Sequence, residues 1–119
     1  MRRYNPERRK DAEDLLLIMH KYEYASNFDR LYDKEQDLLQ EEEFNTRNAS
    51  IRLLGQDMAK IADAETLSLV EGILDNEIGE QSQYKLITDM IRGSLSYEDR
   101  FDETLQQVEK LRKGLSEIA

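Results

Sequence analysis

The side chains with the most obvious potential for chemistry lie near the start of the chain, in residues 8–14, which read Arg-Arg-Lys-Asp-Ala-Glu-Asp. Lys10 and Asp14 are four residues apart, so on a helix both project from one face, with Asp11 beside them. A basic residue next to two carboxylates is an arrangement that a phosphate or metal site can use. It is also the arrangement of an ordinary solvated helix face, and the spacing alone favours that second interpretation.

Two further residues have types that can do chemistry. Asp57 lies within an apolar stretch of a predicted helix. If it were buried it would need a paired base, for which Arg52 and Lys60 are the candidates, but an exposed position on the helix flank is favoured. His20 falls at the end of the first predicted helix, where it serves either as a favourable C-terminal cation or as a polar edge residue.

Most catalytic and metal-binding arrangements are missing from the sequence. The chain has no cysteine and a single histidine, which excludes a disulfide, a thiolate zinc site and a histidine cluster. It also lacks a glycine-rich phosphate loop and a nucleophile elbow. We therefore expect no catalytic residue, no bound metal and no cofactor in this chain.

The charge of the chain is strongly polarised. Its net charge is −9, yet residues 1–10 hold five basic side chains and one acidic one, whereas residues 11–119 carry a net charge of −13. An acidic body argues against a broad nucleic-acid surface, because phosphate binding needs clustered lysine and arginine. No apolar stretch approaches membrane-spanning length, and no signal-type segment follows the first residues. We expect a cytoplasmic protein with no membrane partner.

The spacing of apolar residues predicts helices throughout and no strand. At 119 residues with 39% hydrophobic and 36% charged side chains, the chain suits one domain, residues 1–119. The predicted helices span about residues 6–22, 28–40, 46–62 and 81–92, with a fourth helix that follows Asp63 and ends near Gly79 and a last helix that starts at Ser96. The predicted N-terminal capping residues are Asn5, Asn45, Asp63 and Ser96, the last with Asp99 in a capping box. The predicted fold is an all-α, compact bundle of five or six helices.

Two of these helices have features that predict how they pack. In the third, Ile51, Leu54, Met58 and Ile61 form an apolar stripe, and Gly55 should permit close approach of another helix. The last helix has a heptad-like stripe that needs a partner helix, which makes it a candidate for self-association. That stripe consists of Phe101, Leu105, Val108, Leu111, Leu115 and Ile118.

The order of several short motifs resembles the helical C-terminal part of predicted nucleotidyltransferases of the DNA polymerase β superfamily, the abortive-infection and toxin type. The resemblance begins with residues 8–15, the motif that opens a helix after the catalytic sheet in that family. It continues through residues 31–33, 37–39, 41–44 and 52–61, and so covers most of the chain. The family more usually has arginine where Gln56 stands, which puts a pairing of that position with Asp57 in doubt.

The resemblance implies a function for the N-terminal charges. In the family, an α/β domain with a Gly-Ser pair and an Asp-x-Asp pair binds two magnesium ions for nucleotidyl transfer. This sequence lacks that combination, since its one Gly-Ser pair, at residues 93–94, leads into a predicted helix cap. By resemblance, Arg9 and Lys10 belong to the substrate-binding set, with Lys10 contacting phosphate, while Asp11 and Asp14 orient the basic residues.

Three hypotheses follow from the sequence. The favoured one is a non-catalytic helical module, the C-terminal portion of a nucleotidyltransferase-like protein, which acts by association with a separately encoded catalytic chain or with itself. The alternative is an unrelated helical interaction protein, such as an antitoxin or small adaptor, that self-associates through its last helix. A stand-alone enzyme is the least favoured hypothesis.

Overall fold

The computed structural model describes residues 6–79, 84–91 and 97–118, with side chains described for 10–79, 84–91 and 100–118. These residues form seven α-helices and a short 3-10 turn, Tyr22–Tyr24, with no strand among them, which confirms the all-α prediction. The helices are α1 Pro6–Lys21, α2 Asn27–Tyr32, α3 Gln36–Glu41, α4 Thr46–Ile61, α5 Ala64–Ile78, α6 Lys85–Ile91 and α7 Tyr97–Ile118.

Side-chain caps set the start of α4 and α5. The Asn45 side chain accepts a hydrogen bond from the Asn48 N–H at 3.0 Å, and the Asp63 side chain accepts one from the Thr66 N–H at 2.7 Å. Both caps satisfy an N–H that would otherwise have no partner within the helix, as predicted. The other predicted caps, Asn5 and the Ser96–Asp99 box, lie outside the residues whose side chains the structure describes.

The second predicted helix is divided in two. The N–H groups of Asp33 and Glu35 both donate to the carbonyl of Arg30, at 3.3 and 2.9 Å, and this tight turn ends α2 before α3 begins. The turn lets both short helices contribute to a small second core. That core consists of Leu31, Leu38, Leu39, Ala49 and Leu53.

The main core forms where α4 and α7 pack along each other, with α1, α5 and α6 around them. The middle of the apolar stripe of α7 is fully buried in this core, since Val108, Leu111 and Leu115 are at most 1% exposed. The partner helix that this stripe requires is therefore α4 of the same chain. At Gly55 the two backbones approach closely, as predicted from the sequence.

Helix α6 is held at its N-terminus by a side chain from α5. The carboxylate of Glu77, which is buried, accepts hydrogen bonds from the N–H groups of Leu86 and Ile87 at 3.2 and 3.0 Å. A carboxylate at a helix N-terminus satisfies free N–H groups and interacts favourably with the helix dipole. Glu77 thus joins α5 to α6 through a polar contact within an otherwise apolar interface.

One predicted core residue is not in the core. Ile61 is the last residue of α4 and is 86% exposed, whereas Ile51 and Leu54 of the same stripe are buried. The stripe continues past the point where α7 and α5 can cover it, so its last member projects into solvent. Within the part of the chain that the structure describes, no helix is both long enough and apolar enough to cross a membrane.

Candidate functional site

The N-terminal charges predicted as a site lie on the outer side of α1. Lys10, Asp11 and Asp14 are all exposed, and none takes part in an ion pair or side-chain hydrogen bond among the described residues. Neither Asp11 nor Asp14 is therefore buried against a base from a later helix. Arg9 lies outside the residues whose side chains are described.

Asp57, predicted to be exposed, is instead half-buried in a polar cluster. Its carboxylate accepts hydrogen bonds from both terminal nitrogens of Arg30, at 2.9 and 3.3 Å, and from the hydroxyl of Tyr22. Lys60 is 4.0 Å away, so it is a secondary partner, and Arg52 does not contribute. Arg30 was missed in the sequence because it lies 27 residues away, on a different helix.

The electrostatics of this cluster fix its protonation. Burial raises the pKa of Asp57, but the hydrogen bonds from Arg30 and Tyr22 and the charge of Arg30 outweigh burial, so its pKa lies below the ordinary value of 3.8. Burial and the neighbouring Asp57 raise the pKa of Tyr22. At neutral pH the carboxylate is ionised and the phenol protonated. The cluster therefore joins the 3-10 turn, α2 and α4 as a structural contact.

A second polar network surrounds Arg52, which is buried in the middle of α4. Its guanidinium donates to Glu117 of α7 through Nε at 2.7 Å and to Glu42 through Nη1 at 3.1 Å, with a longer contact to Glu41. Lys110 adds an ion pair to Glu42 at 2.8 Å. Hydrogen bonding to Glu117 and the surrounding carboxylates raise the pKa of Arg52. These contacts fix α3 and α7 to α4.

Beside this network lies an open polar cleft of about 370 Å³. Its most buried carboxylate, Glu42, is already paired with Arg52 and Lys110. Over the residues with described side chains, no group of three or more His, Cys, Asp or Glu residues has a metal-binding arrangement. The residues that line the cleft are Glu41, Glu42, Glu43, Asn45, Asn48, Gln106 and Lys110.

His20 is a half-buried residue between α1 and α7. Its Nε2 donates to Oε1 of Gln107 at 2.7 Å. Burial lowers the pKa of His20, and the positive charges of Arg47 and Arg100 act in the same direction, while Gln107 and Glu103 oppose them. The neutral imidazole is thus favoured, which supports the polar edge residue and not the C-terminal cation.

An uncovered apolar area beside a groove belongs to α5. Five residues at spacings i, i+4, i+7, i+8 and i+11 form its outer side, and all are exposed. We call this set the α5 face: Glu65, Leu69, Gly72, Ile73 and Asn76. Leu69 is 66% and Ile73 51% exposed. Beside the face, an open apolar groove of about 400 Å³ lies between α5 and the ends of α4 and α7.

The groove opens beside the α5 face, because Thr66 and Val70, which line it, are each three residues from Leu69 and Ile73 on the same helix. The exposed side chain of Ile61 lies at one wall of the groove, and Leu67, Val70 and Leu115 line it. Contiguous apolar surface of this kind marks binding surfaces, whereas single exposed apolar residues are ordinary. The sequence carried a signal for the exposed apolar surface of α5. Six large apolar residues lie within residues 67–78, on more sides of the helix than one core can cover.

Two other groups of apolar side chains are exposed. On α2, the rings of Phe28 and Tyr32 pack against each other with centroids 5.0 Å apart, so each covers part of the other. On α1, Leu17 and Ile18 are each 52% exposed and lie among the charges of that helix.

In comparisons with known proteins, no family model, curated protein or solved structure matches this chain. Its function is therefore argued from these surfaces.

Proposed function

We propose that this chain is a non-catalytic helical module that acts by protein–protein association, and that two copies associate through the α5 face. The observation that carries the proposal is the exposure of Leu69 and Ile73 beside an apolar groove that nothing in the described chain fills. Removing apolar surface from water contributes about 25 cal/mol per Å². Covering this area is therefore a driving force for association.

The surface for association differs from the one expected from sequence. The stripe of α7 is already covered by α4 and α5, because Val108, Leu111 and Leu115 are buried within the chain. Only Ile118, near the end of that helix, is substantially exposed. The α5 face is the larger apolar area left for a partner.

Charge favours a second copy as that partner. Residues 63–78, which comprise α5 and its cap, contain five carboxylates and no lysine, arginine or histidine. Glu77 is buried, and Glu71 and Asp75 pair with Arg112 of the same chain, but Glu65 on the α5 face is exposed, so a partner that brings positive charge to it is favoured. The chain itself supplies such a region, since its first ten residues carry a net charge of +4.

The resemblance to the helical C-terminal part of nucleotidyltransferases supports a non-catalytic module as well. In that family the catalytic Gly-Ser and Asp-x-Asp residues belong to a different domain, and the helical part packs beside it. A separately encoded catalytic domain is accordingly the competing partner for the α5 face. The exposed positions of Lys10, Asp11 and Asp14 are compatible with either partner.

The test is sedimentation velocity of the whole chain over a range of concentration, with two variants. The wild-type chain should form a dimer at micromolar concentration, and Leu69→Asp should shift it to monomer. Phe44→Asp is the matched control, because it introduces the same charge at an exposed apolar residue, 61% exposed, that belongs to the segment between α3 and α4. It should leave the dimer intact.

A wild-type chain that stays monomeric at all concentrations contradicts association between copies. Equal loss of dimer in Leu69→Asp and Phe44→Asp contradicts the assignment to α5. A stoichiometric complex of the monomeric chain with a nucleotidyltransferase domain, lost in Leu69→Asp, would give the α5 face to that partner instead.

A further inference from the structure

We infer, on the basis of the association just proposed, that the α5 face of one copy is covered by the outer side of α1 from the second copy. The outer side of α1 has the same spacing of exposed residues, i, i+4, i+7, i+8 and i+11, as the α5 face. We call this set the α1 face: Lys10, Asp14, Leu17, Ile18 and Lys21.

The two faces match in their apolar residues. Leu17 and Ile18 occupy the third and fourth positions of the α1 face, and both are 52% exposed. On the α5 face, Ile73 occupies the fourth position and Leu69 the second. Each face is thus a helix surface about three turns long with two large aliphatic side chains, the length at which two helices can pack side by side.

The α1 face and the α5 face also have opposite net charge, which favours their pairing. The α1 face has two lysines and one aspartate, and it follows the basic start of the chain. Within the described side chains, Arg112 is the base that pairs with the carboxylates of α5, at Glu71 and Asp75. Glu65 has no such ion pair. A lysine from α1 of a second copy would complement it.

Charge argues equally against the simplest alternative, two α5 helices packed on each other. That contact would bring the exposed carboxylates of two α5 helices near one another and would supply no base to either Glu65. Like charges brought together across an interface are unfavourable. The contact between α1 and α5 avoids this repulsion while covering the same apolar side chains.

Gly72 provides a further argument. A Cβ added at Gly72 would meet no atom within 4 Å, so the described chain leaves open space beside it. A glycine in an exposed helix interior costs about 1 kcal/mol relative to alanine. In this same molecule, glycines in α4 and α7 lie where two helices approach closely. A partner helix seated over Gly72 would use that space in the same way.

The inferred dimer has a two-fold axis, about which each copy contributes one α1 face and one α5 face. The α1 face of the first copy covers the α5 face of the second, and the reverse contact forms simultaneously. Such an arrangement is closed, which limits assembly to a dimer. It covers Leu17, Ile18, Leu69 and Ile73 of both chains in one step.

The absence of cysteine from the sequence makes this arrangement directly testable by cross-linking. Asp14→Cys places a thiol within the α1 face, and Asn76→Cys places one within the α5 face. A mass-tagged Asp14→Cys chain mixed with an untagged Asn76→Cys chain should give a mixed dimer with a short bismaleimide. Its yield should be several-fold above that of either variant alone. Gln40→Cys, exposed on α3, is the control and should cross-link to neither.

The result also separates this inference from the proposed function. A dimer in sedimentation that cross-links through Asn76→Cys alone, or through neither variant, overturns the pairing of α1 with α5 and leaves association through α5 standing. A chain that sediments as a monomer at all concentrations overturns both.

A second measurement does not depend on cross-linking. Gly72→Ala should weaken dimerisation roughly tenfold, equivalent to about 1.4 kcal/mol, because its methyl group takes the space left for the partner helix. At concentrations where the chain is monomeric, the same change should raise thermal stability. Dimerisation that is unchanged or strengthened in Gly72→Ala contradicts a helix seated over this residue.

Discussion

Gly55 of α4 lies directly against Gly114 of α7. A Cβ built on Gly55 would be 2.9 Å from the backbone nitrogen of Leu115 and 3.1 Å from the carbonyl carbon of Gly114. A Cβ on Gly114 would be 3.1 Å from the backbone nitrogen of Gln56 and closer still to the carbonyl of Arg52. Each glycine therefore makes room for the backbone of the other helix. The pair lets the two central helices approach closely enough to bury the α7 stripe.

The first prediction follows from this contact. Gly55→Ala should destabilise the fold by at least about 2 kcal/mol, because its methyl group would overlap backbone atoms that a side-chain rotation cannot move. Gly72→Ala is the matched control, with the same substitution in a helix interior but open space around it. It should stabilise the monomer by about 1 kcal/mol. Urea unfolding of both variants measures the difference, and equal effects would contradict the packing described.

The second prediction concerns Arg52. Arg52→Ala should cost up to about 3–5 kcal/mol of unfolding free energy, because it removes one of the two bases that pair with the buried carboxylate of Glu42 and the base that pairs with Glu117. Arg112→Ala is the control, since Arg112 pairs with the exposed carboxylate of Asp75 and the half-buried one of Glu71. Arg112→Ala should lower the unfolding free energy by markedly less than Arg52→Ala. Similar losses for the two arginines would show that burial of the Arg52 network contributes little.

The third prediction is an acid dependence that arises from Asp57. Its pKa in the fold is below the ordinary value of 3.8, so its ionised form stabilises the protein above that pH. This contribution is lost as pH falls through the lowered pKa of the folded state. Asp57→Asn should reduce stability at neutral pH by about 1–3 kcal/mol and should flatten the acid limb of the stability profile. Asp33→Asn, the same substitution at an exposed aspartate in the turn after α2, should change stability at neutral pH by less than about 1 kcal/mol.

The fourth prediction concerns His20, whose pKa is lowered from 6.5 mainly by burial. Because the unfolded chain binds this proton more readily, the effect favours the fold fully above pH 6.5 and is lost as pH falls from there through the lowered pKa. His20 is the only histidine of the chain, so NMR should show one imidazole titration. Its midpoint should lie below 6.5, and unfolding in urea should raise it. A folded-state midpoint above 6.5 would contradict the environment described.

The fifth prediction separates folding from association at α1. Replacing Lys10, Asp11 and Asp14 together with alanine should change the unfolding free energy by less than about 1 kcal/mol, because all three are exposed. The same variant should weaken association with any partner that docks on α1. A large drop in Tm would show that these charges hold the fold, contrary to their exposed positions.

The sequence by itself determined the helical fold and most helix boundaries, because these depend on local interactions. The caps at Asn45 and Asp63 act within three residues of the backbone N–H groups they satisfy. The periodicity of α7 likewise identified the side that is buried, and Gly55 marked a close helix contact. Such features need no knowledge of how distant segments meet.

Only the tertiary structure decided which side chains became partners and which surfaces stayed open. Asp57 pairs with Arg30, and Arg52 reaches Glu117 across 65 residues, because helix packing brings those positions together. Ile61 has the spacing of a core residue but lies beyond the helices that could cover it. The α5 face is exposed for the same reason. A hydrophobic pattern shows that a side chain favours burial, but only the arrangement of neighbouring helices determines whether it is covered.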